Sequence, residues 1–165
     1  LQSNATYRLI GEKDGHFVGS SEVFTTKKRD TDTFVIHLIL PKIEVGYQHR
    51  LEKFIFQVND TTILEEGKPL LELIAKKLRE NSELKVQIAC HSDARGDDTY
   101  NLTLSQQRAE ALKNYLIACG VKPHQLVAKG YGETQILNEC KNGVRCPTEK
   151  HEENRKVIFE VLGWE

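Results

Sequence analysis

Between Val86 and Arg108 the chain sets groups of opposite charge on a loop and on the segment after it. Asp93 lies just past a stretch that alternates apolar and polar residues. Asn101 and Arg108 sit seven residues apart on a stretch with helical spacing, about two turns, so they project from nearly the same face with Leu104 and Ser105 between them. A loop carboxylate combined with a guanidinium and an amide can hold a group that bears both an ammonium and a carboxylate. Asp93 would accept from the ammonium, and Arg108 would grip the carboxylate with its planar fork. A purely structural ion pair is the plainer use of the same two residues. Cys90, His91 and Asp93 also lie close together, but nucleophilic catalysis needs a base held by a third group and an oxyanion donor, and the sequence identifies neither. His91 reads as a hydrogen-bonded structural histidine beside the loop, and no catalysis is expected.

The four cysteines are of two kinds. Cys90 and Cys119 lie in apolar segments and read as small buried hydrophobes, whereas Cys140 and Cys146 flank a polar turn-rich loop and suit a local disulfide in an oxidising compartment. Cys140, Cys146 and His151 are also the best set for zinc, although a fourth ligand is missing and the gap between the cysteines exceeds the usual spacing. Neither a metal nor a cofactor is expected.

Elements that would position these groups follow from periodicity. Residues 1–42 read as β structure: Thr6–Ile10, a turn at Asp14-Gly15, Phe17-Val18, Val23-Phe24 and Phe34–Leu40. Pro41 stops the last of these, and the change of pattern puts a domain border at about residues 41–50. Beyond it, Lys53–Val58 reads as a strand ending in Asn59-Asp60-Thr61-Thr62. A helix with Pro69 in its first turn buries Leu71, Ile74 and Leu78 and ends at Asn81-Ser82. Leu84–Cys90 alternates as a half-buried strand. The longest helix is expected from about Thr99 to Cys119, with Leu102, Ala109, Leu112 and Leu116 inward and Gly120 as its terminator. A strand centred on Leu126-Val127-Ala128 is broken by the tight turn Gly130-Tyr131-Gly132. A long loop carries Cys140 and Cys146, and Val157, Phe159 and Val161 alternate in a closing strand. The order is βαβαββ, an α/β (α+β) domain with helices packed on one face of a small mixed sheet.

Bulk properties agree with a folded chain. It has 165 residues, 39% hydrophobic and 28% charged, enough to bury a core without staples. A net charge of −1, with both signs spread along the chain, gives no field for nucleic acid or acidic lipid. No apolar run approaches the roughly 20 residues that span a bilayer, and the start has no signal-peptide pattern. The sequence reads as a soluble piece of something longer.

His91-Ser92-Asp93-Ala94-Arg95-Gly96 resembles the His-Thr-Asp-x-x-Gly signature of OmpA-like domains. Tyr100-Asn101-Leu102-Thr103-Leu104-Ser105-Gln106-Gln107-Arg108-Ala109 resembles Tyr-Asn-x-x-Leu-Ser-x-x-Arg-Ala, Gly130-Tyr131-Gly132-Glu133 resembles Gly-Tyr-Gly-Glu, and Asn154-Arg155-Lys156-Val157 completes the set. The resemblance covers residues from about 54 to 161. It implies that Asp93 and Arg108 hold the diaminopimelate of the peptidoglycan stem peptide, and that Asn59, Ser92, Asn101 and Arg155 line the pocket. Ser92 stands where Thr is usual and keeps the hydroxyl. Cys90 stands where Gly is common, and Lys156 replaces a frequent second Arg. The Cys140 to Asn154 segment resembles envelope proteins of Bacteroidetes-like bacteria, in which the two cysteines are expected to be bridged. Residues 1–42 resemble the end of a carboxypeptidase-regulatory-like β-sandwich, preceding an OmpA-like domain over 43–165. The implied function is anchoring of an outer-membrane protein or envelope machine, such as type IX secretion, to the cell wall from the periplasm. A metal- or cysteine-dependent peptidoglycan amidase and a module that binds protein termini are the alternatives from other classes.

Overall fold

The computed structural model describes residues 6–7, 9–17, 19–20, 24–25, 39–51, 55–57 and 59–164. The chain divides into two compact units, Leu1–Ile43 and Glu44–Glu165.

In the first unit, β1 (Thr6–Tyr7) pairs antiparallel with β4 (Phe24–Thr25), and β2 (Ile10–Gly11) pairs antiparallel with β3 (Gly19–Ser20). The Asp14-Gly15 turn forms with Gly15 at φ 68°. Phe17, buried beside it, donates its N–H to the Pro41 carbonyl at 2.7 Å. Of the predicted strand Phe34–Leu40, residues 34–38 lie outside the described residues, and Ile39 and Leu40 are not in a strand. Val18 and Val23 also lie outside them.

The second unit is a four-stranded mixed sheet in the order β5-β8-β6-β7, with three α-helices among the described residues. β6 (Leu84–His91) is central, parallel to β7 (Leu126–Gly132) and antiparallel to β8 (Lys156–Trp164). A parallel pair needs a long crossover, and α2 (Asp98–Ala118) supplies it, packing along β7 and β6. The outer strand is β5 (Gln48–Arg50), antiparallel to β8. The sequence places the first strand later, at Lys53–Val58. Of these, Lys53, Phe54 and Val58 lie outside the described residues, and residues 55–57 belong to a narrow hairpin, bridged at Phe56 and Ile63, with Leu64 N–H donating to the Ile55 carbonyl at 2.8 Å. Both stretches have strand-like composition, but the hairpin's ladder is local and leaves the sheet edge to the more polar Gln48-His49-Arg50.

α1 (Lys68–Glu80) starts with Pro69 in its first turn and buries Leu71, Ile74, Ala75 and Leu78, one helical stripe. α2 is capped by the Asp97 carboxylate, which accepts from the Tyr100 N–H at 2.8 Å. Its C-terminus is a Schellman motif: Gly120, at φ 90°, donates to the Ile117 carbonyl and Val121 to the Leu116 carbonyl. The buried stripe of α2 runs Asn101, Leu104, Ser105, Arg108, Ala109, Leu112, Leu116. Leu102, expected inward, is 48% exposed. Polar residues fill the inward face over the first half of the helix, so hydrophobicity alone misphases it there. A third helix, α3 (Thr148–Asn154), occupies part of the predicted long loop. Its seven residues lack the apolar stripe by which a helix is read.

β7 does not stop at Gly130-Tyr131-Gly132, as the sequence suggests, but runs through it with a bulge: Cys90 pairs Gly130 and His91 pairs Gly132. Tyr131 is the extra residue. The reason for Gly130 is close approach rather than a turn, since a Cβ there would sit 2.1 Å from the Gln106 backbone nitrogen and 2.6 Å from the Ser105 carbonyl carbon. At this contact the helix also satisfies the strand's outward donors: Gly130 N–H reaches Gln106 Oε1 at 2.7 Å and Gly132 N–H reaches Ser105 Oγ at 2.8 Å. Gly130→Ala is therefore expected to destabilise the domain by about 3 kcal/mol, the upper part of the overpacking range. Urea unfolding measures this, and an unchanged midpoint would refute the close approach.

Candidate binding cleft

At the C-terminal end of β6 lies an open recess of about 490 Å3. Asn59, Ser92, Asp93, Asn101, Arg108 and Arg155, the residues singled out from the sequence as ligand-binding, all line it. Each arrives from a different local device. The bulge between β6 and β7 ends the ladder at His91 and releases Ser92 and Asp93 into the loop. Asn59 turns the 55–64 hairpin at φ 54°, a left-handed conformation that asparagine tolerates. Arg155 stands at the junction of α3 and β8. Asn154, beside it, is wholly buried and ties the preceding loop: its Oδ1 accepts from Leu137 N–H at 2.8 Å and its Nδ2 donates to Asn138 Oδ1 at 2.9 Å.

Asp93 is 7% exposed. Burial by itself raises its carboxyl pKa, but hydrogen bonds from the Arg95 side chain and backbone, with the charges of Arg95 and Arg155, outweigh it and hold the carboxyl below its usual value. Arg95 clasps it with two parallel bonds, Nε to Oδ1 at 3.1 Å and Nη2 to Oδ2 at 3.0 Å, while its own N–H reaches Oδ1 at 3.0 Å. Arg155 Nε lies 3.6 Å from Oδ2. Charge spacing in the sequence gives Arg95 no role. Its signal was its place two residues after an aspartate in a turn-forming loop, where an Asx-turn brings the side chains together.

Arg108 is oriented by the hairpin. Its Nε donates to the Asp60 carbonyl at 2.9 Å, its Nη2 to the Gln57 carbonyl at 3.2 Å, and its guanidinium lies 5.3 Å from the Phe56 ring centroid. Burial, with the like charge of Arg155 adding to it, lowers its pKa. The Asn101 amide is a clamp on the loop: Nδ2 donates to Arg95 O at 3.1 Å and Glu133 Oε2 at 2.8 Å, with Asp93 O at 3.3 Å.

His91 is not the hydrogen-bonded histidine that the sequence suggests. It is 2% exposed, neither ring nitrogen has a hydrogen-bond partner among the described residues, and the ring stacks on Tyr131 at 5.0 Å and 7°. Burial first, then Lys156 and Arg50, pull its pKa down to about 4. Lys156, its partner across the ladder, sends its ammonium to the Gln135 carbonyl at 3.0 Å. Burial pushes the Cys90 thiol up to about 12. Cys140 and Cys146 form a disulfide with Cα atoms 5.8 Å apart. Glu139 joins them in a possible metal-ligating group, but bridged sulfurs are not the thiolates that zinc requires.

Fold and recess together define an α/β domain with a charged cleft at the end of its central strand. Residues 55–149 match the OmpA family, and the chain belongs to that family. Outer membrane protein A of Bordetella avium is 28% identical over 108 residues, 66% of this chain and 53% of that protein. A peptidoglycan-associated lipoprotein of Pseudomonas putida is 35% identical over 80 residues, 48% of each. The chain thus spans about half the length of these curated relatives. Among solved structures, the cell wall anchor of the T6SS from Pseudomonas aeruginosa is 28% identical with a TM-score of 0.54, covering 65% of this chain and 73% of that one. The peptidoglycan-associated lipoprotein from Burkholderia pseudomallei, at 24% identity and a TM-score of 0.58, shares the fold over 65% of this chain and 86% of its own. No helix among the described residues is long and apolar enough to cross a membrane.

The neutral buried His91 has a consequence for stability. Below its ordinary pKa of 6.5 the unfolded chain takes up a proton that the folded chain refuses until about pH 4. Stability is therefore complete above pH 6.5 and falls as the pH drops toward 4, by at most about 1.4 kcal/mol per unit. His91→Phe, which keeps the stack, should have a flatter profile than the parent in urea unfolding between pH 7 and 4.5. Parallel profiles would mean that His91 is not the group responsible.

Proposed function

We propose that the domain binds peptidoglycan without covalent chemistry, through the diaminopimelate of the stem peptide. The observation that carries this reading is the single cleft holding the Asp93 carboxylate with the Arg108 and Arg155 guanidiniums. The free end of diaminopimelate presents an ammonium and a carboxylate, which the two charges can take separately. Asn59, Ser92 and Asn101 add polar edges. Similarity to proteins named peptidoglycan-associated lipoprotein and to a cell wall anchor supports the same partner.

Catalysis forms no part of this reading. A general acid or base works best with a pKa near the operating pH, whereas the groups at and behind the cleft are driven away from neutrality: Asp93 downward, His91 to about 4, Cys90 to about 12. A cleft of fixed charges suits holding rather than proton transfer. The rest of the parent protein would tie the wall to the outer membrane or to an envelope machine, such as type IX secretion, from the periplasm. Residues 1–42 would be the end of a carboxypeptidase-regulatory-like β-sandwich that joins the two.

Asp93→Ala and Arg108→Ala should each weaken binding to diaminopimelate-type sacculi by about 2–5 kcal/mol, the cost of removing one side of a desolvated charge contact. Arg108→Lys keeps the charge and loses the fork, so it should weaken binding even where the hairpin contacts survive. Co-sedimentation reads the effect, with thermal unfolding as the check on folding. Undiminished co-sedimentation of Asp93→Ala and Arg108→Ala would reject the assignment, and failure of free diaminopimelate to compete would point to a protein terminus as the partner.

A further inference from the structure

The cleft lining carries one carboxylate, Asp93, and three guanidiniums, Arg95, Arg108 and Arg155. Before any ligand arrives, Asp93 is already taken by Arg95 through two parallel hydrogen bonds of 3.1 and 3.0 Å. Asp93 is in turn the only acceptor of the Arg95 side chain among the described residues. A ligand ammonium that occupies Asp93 therefore takes away the hydrogen-bonded anion of Arg95 and leaves it only the more distant charge of Glu152. A single ligand carboxylate does not restore the balance, because in the cell-wall reading it goes to Arg108. Arg95 differs from the other two guanidiniums in freedom: its side chain is 47% exposed, against 20% for Arg155. It also stands in the loop next to Gly96, which is held at φ 100°. A second donor points the same way, since Ser92 Oγ is buried, belongs to the same lining and has no hydrogen-bond partner among the described residues.

We infer that Arg95 is a specificity-determining residue: when the ligand's ammonium displaces it from Asp93, it receives a second ligand carboxylate. The site then selects stem peptides that carry a free carboxylate beyond the one at the zwitterionic end. This inference rests on the cell-wall reading above and goes further by naming the charge state of the ligand. In a tripeptide stem, where diaminopimelate ends the chain, the second carboxylate has two sources, the α-carboxylate of D-glutamate and the diaminopimelate carboxylate remote from the free ammonium; in longer stems only the first is free. Amidation abolishes either one without touching the zwitterionic end.

Isothermal titration of the intact chain with N-acetyl-L-Ala-γ-D-Glu-meso-diaminopimelate tests this in three forms: all carboxylates free, the D-Glu carboxylate amidated, and the remote diaminopimelate carboxylate amidated. The parent should prefer the all-free form over at least one amide by about tenfold, the scale of one hydrogen bond to a charged group. The amide that loses affinity identifies the source. Arg95→Gln should lower that preference to less than about twofold by weakening the all-free form selectively. Equal affinity of the parent for all three forms would overturn the inference while leaving wall binding intact. So would a preference unchanged in Arg95→Gln, or an equal gain for all three forms, which would make Arg95 a mere plug on Asp93. Failure of the parent to bind any form would sink the cell-wall reading itself, and this inference with it.

Discussion

A carboxylate withdrawn from water stays ionised only where cations and donors replace its hydration, and Asp93 imposes that requirement on everything around it. Two guanidiniums and a backbone N–H meet it directly. Holding those donors in place requires the bulge at the end of β6, the Asn101 clamp on the loop and the junction of α3 with β8, which delivers Arg155. Removing any of these would leave the charge buried with fewer partners, a costlier state than a core built without it. The cleft is thus a condition of folding as much as a surface on which a ligand could dock.

The helix that bounds the cleft divides its work along its length. From Ala109 to Leu116 the buried face of α2 is apolar and contributes to the core in the ordinary way. From Asn101 to Arg108 it is largely polar, and its side chains are used by neighbours: Asn101 by the loop, Ser105 and Gln106 by β7, Arg108 by the hairpin. Gly130 is what lets the helix come near enough for this exchange. An alanine there would push the helix away from the strand whose donors Ser105 and Gln106 satisfy, so one glycine couples core packing to cleft geometry.

The same division explains how much the sequence disclosed. α1, β6, β8 and the ends of α2 follow from periodicity and termination signals, because apolar burial governs them. Where polar residues occupy the inward face the periodic signal fails: Leu102 points outward although its type says otherwise, and α3 has no apolar stripe to announce it. Lys53–Val58 has better strand composition than Gln48–Arg50, yet the sheet edge pairs with the latter while Phe56 bridges Ile63, because composition does not say which segment an edge pairs with. The opposed charges of the cleft were legible because loop position and helical spacing place them together. Arg95 was not, since its part depends on a turn geometry that charge spacing along a helix does not encode.

The energetics of exchange at Asp93 bear on the strength of any ligand. The desolvation of the carboxylate is already incurred on folding, so an incoming ammonium meets a preorganised acceptor. What it displaces is the half-exposed guanidinium of Arg95, which water can solvate once it is released. The net gain of the swap is therefore smaller than the cost of removing Asp93, which would leave the ligand's ammonium unpaired, and the contacts of Arg108 and Arg155 add to it. A modest affinity of this kind suffices for a domain held near a repetitive polymer, where effective concentration rather than site strength sets occupancy. It also leaves each contact easily broken and remade as the polymer is remodelled, which a deeper, fully enclosed ion pair would resist.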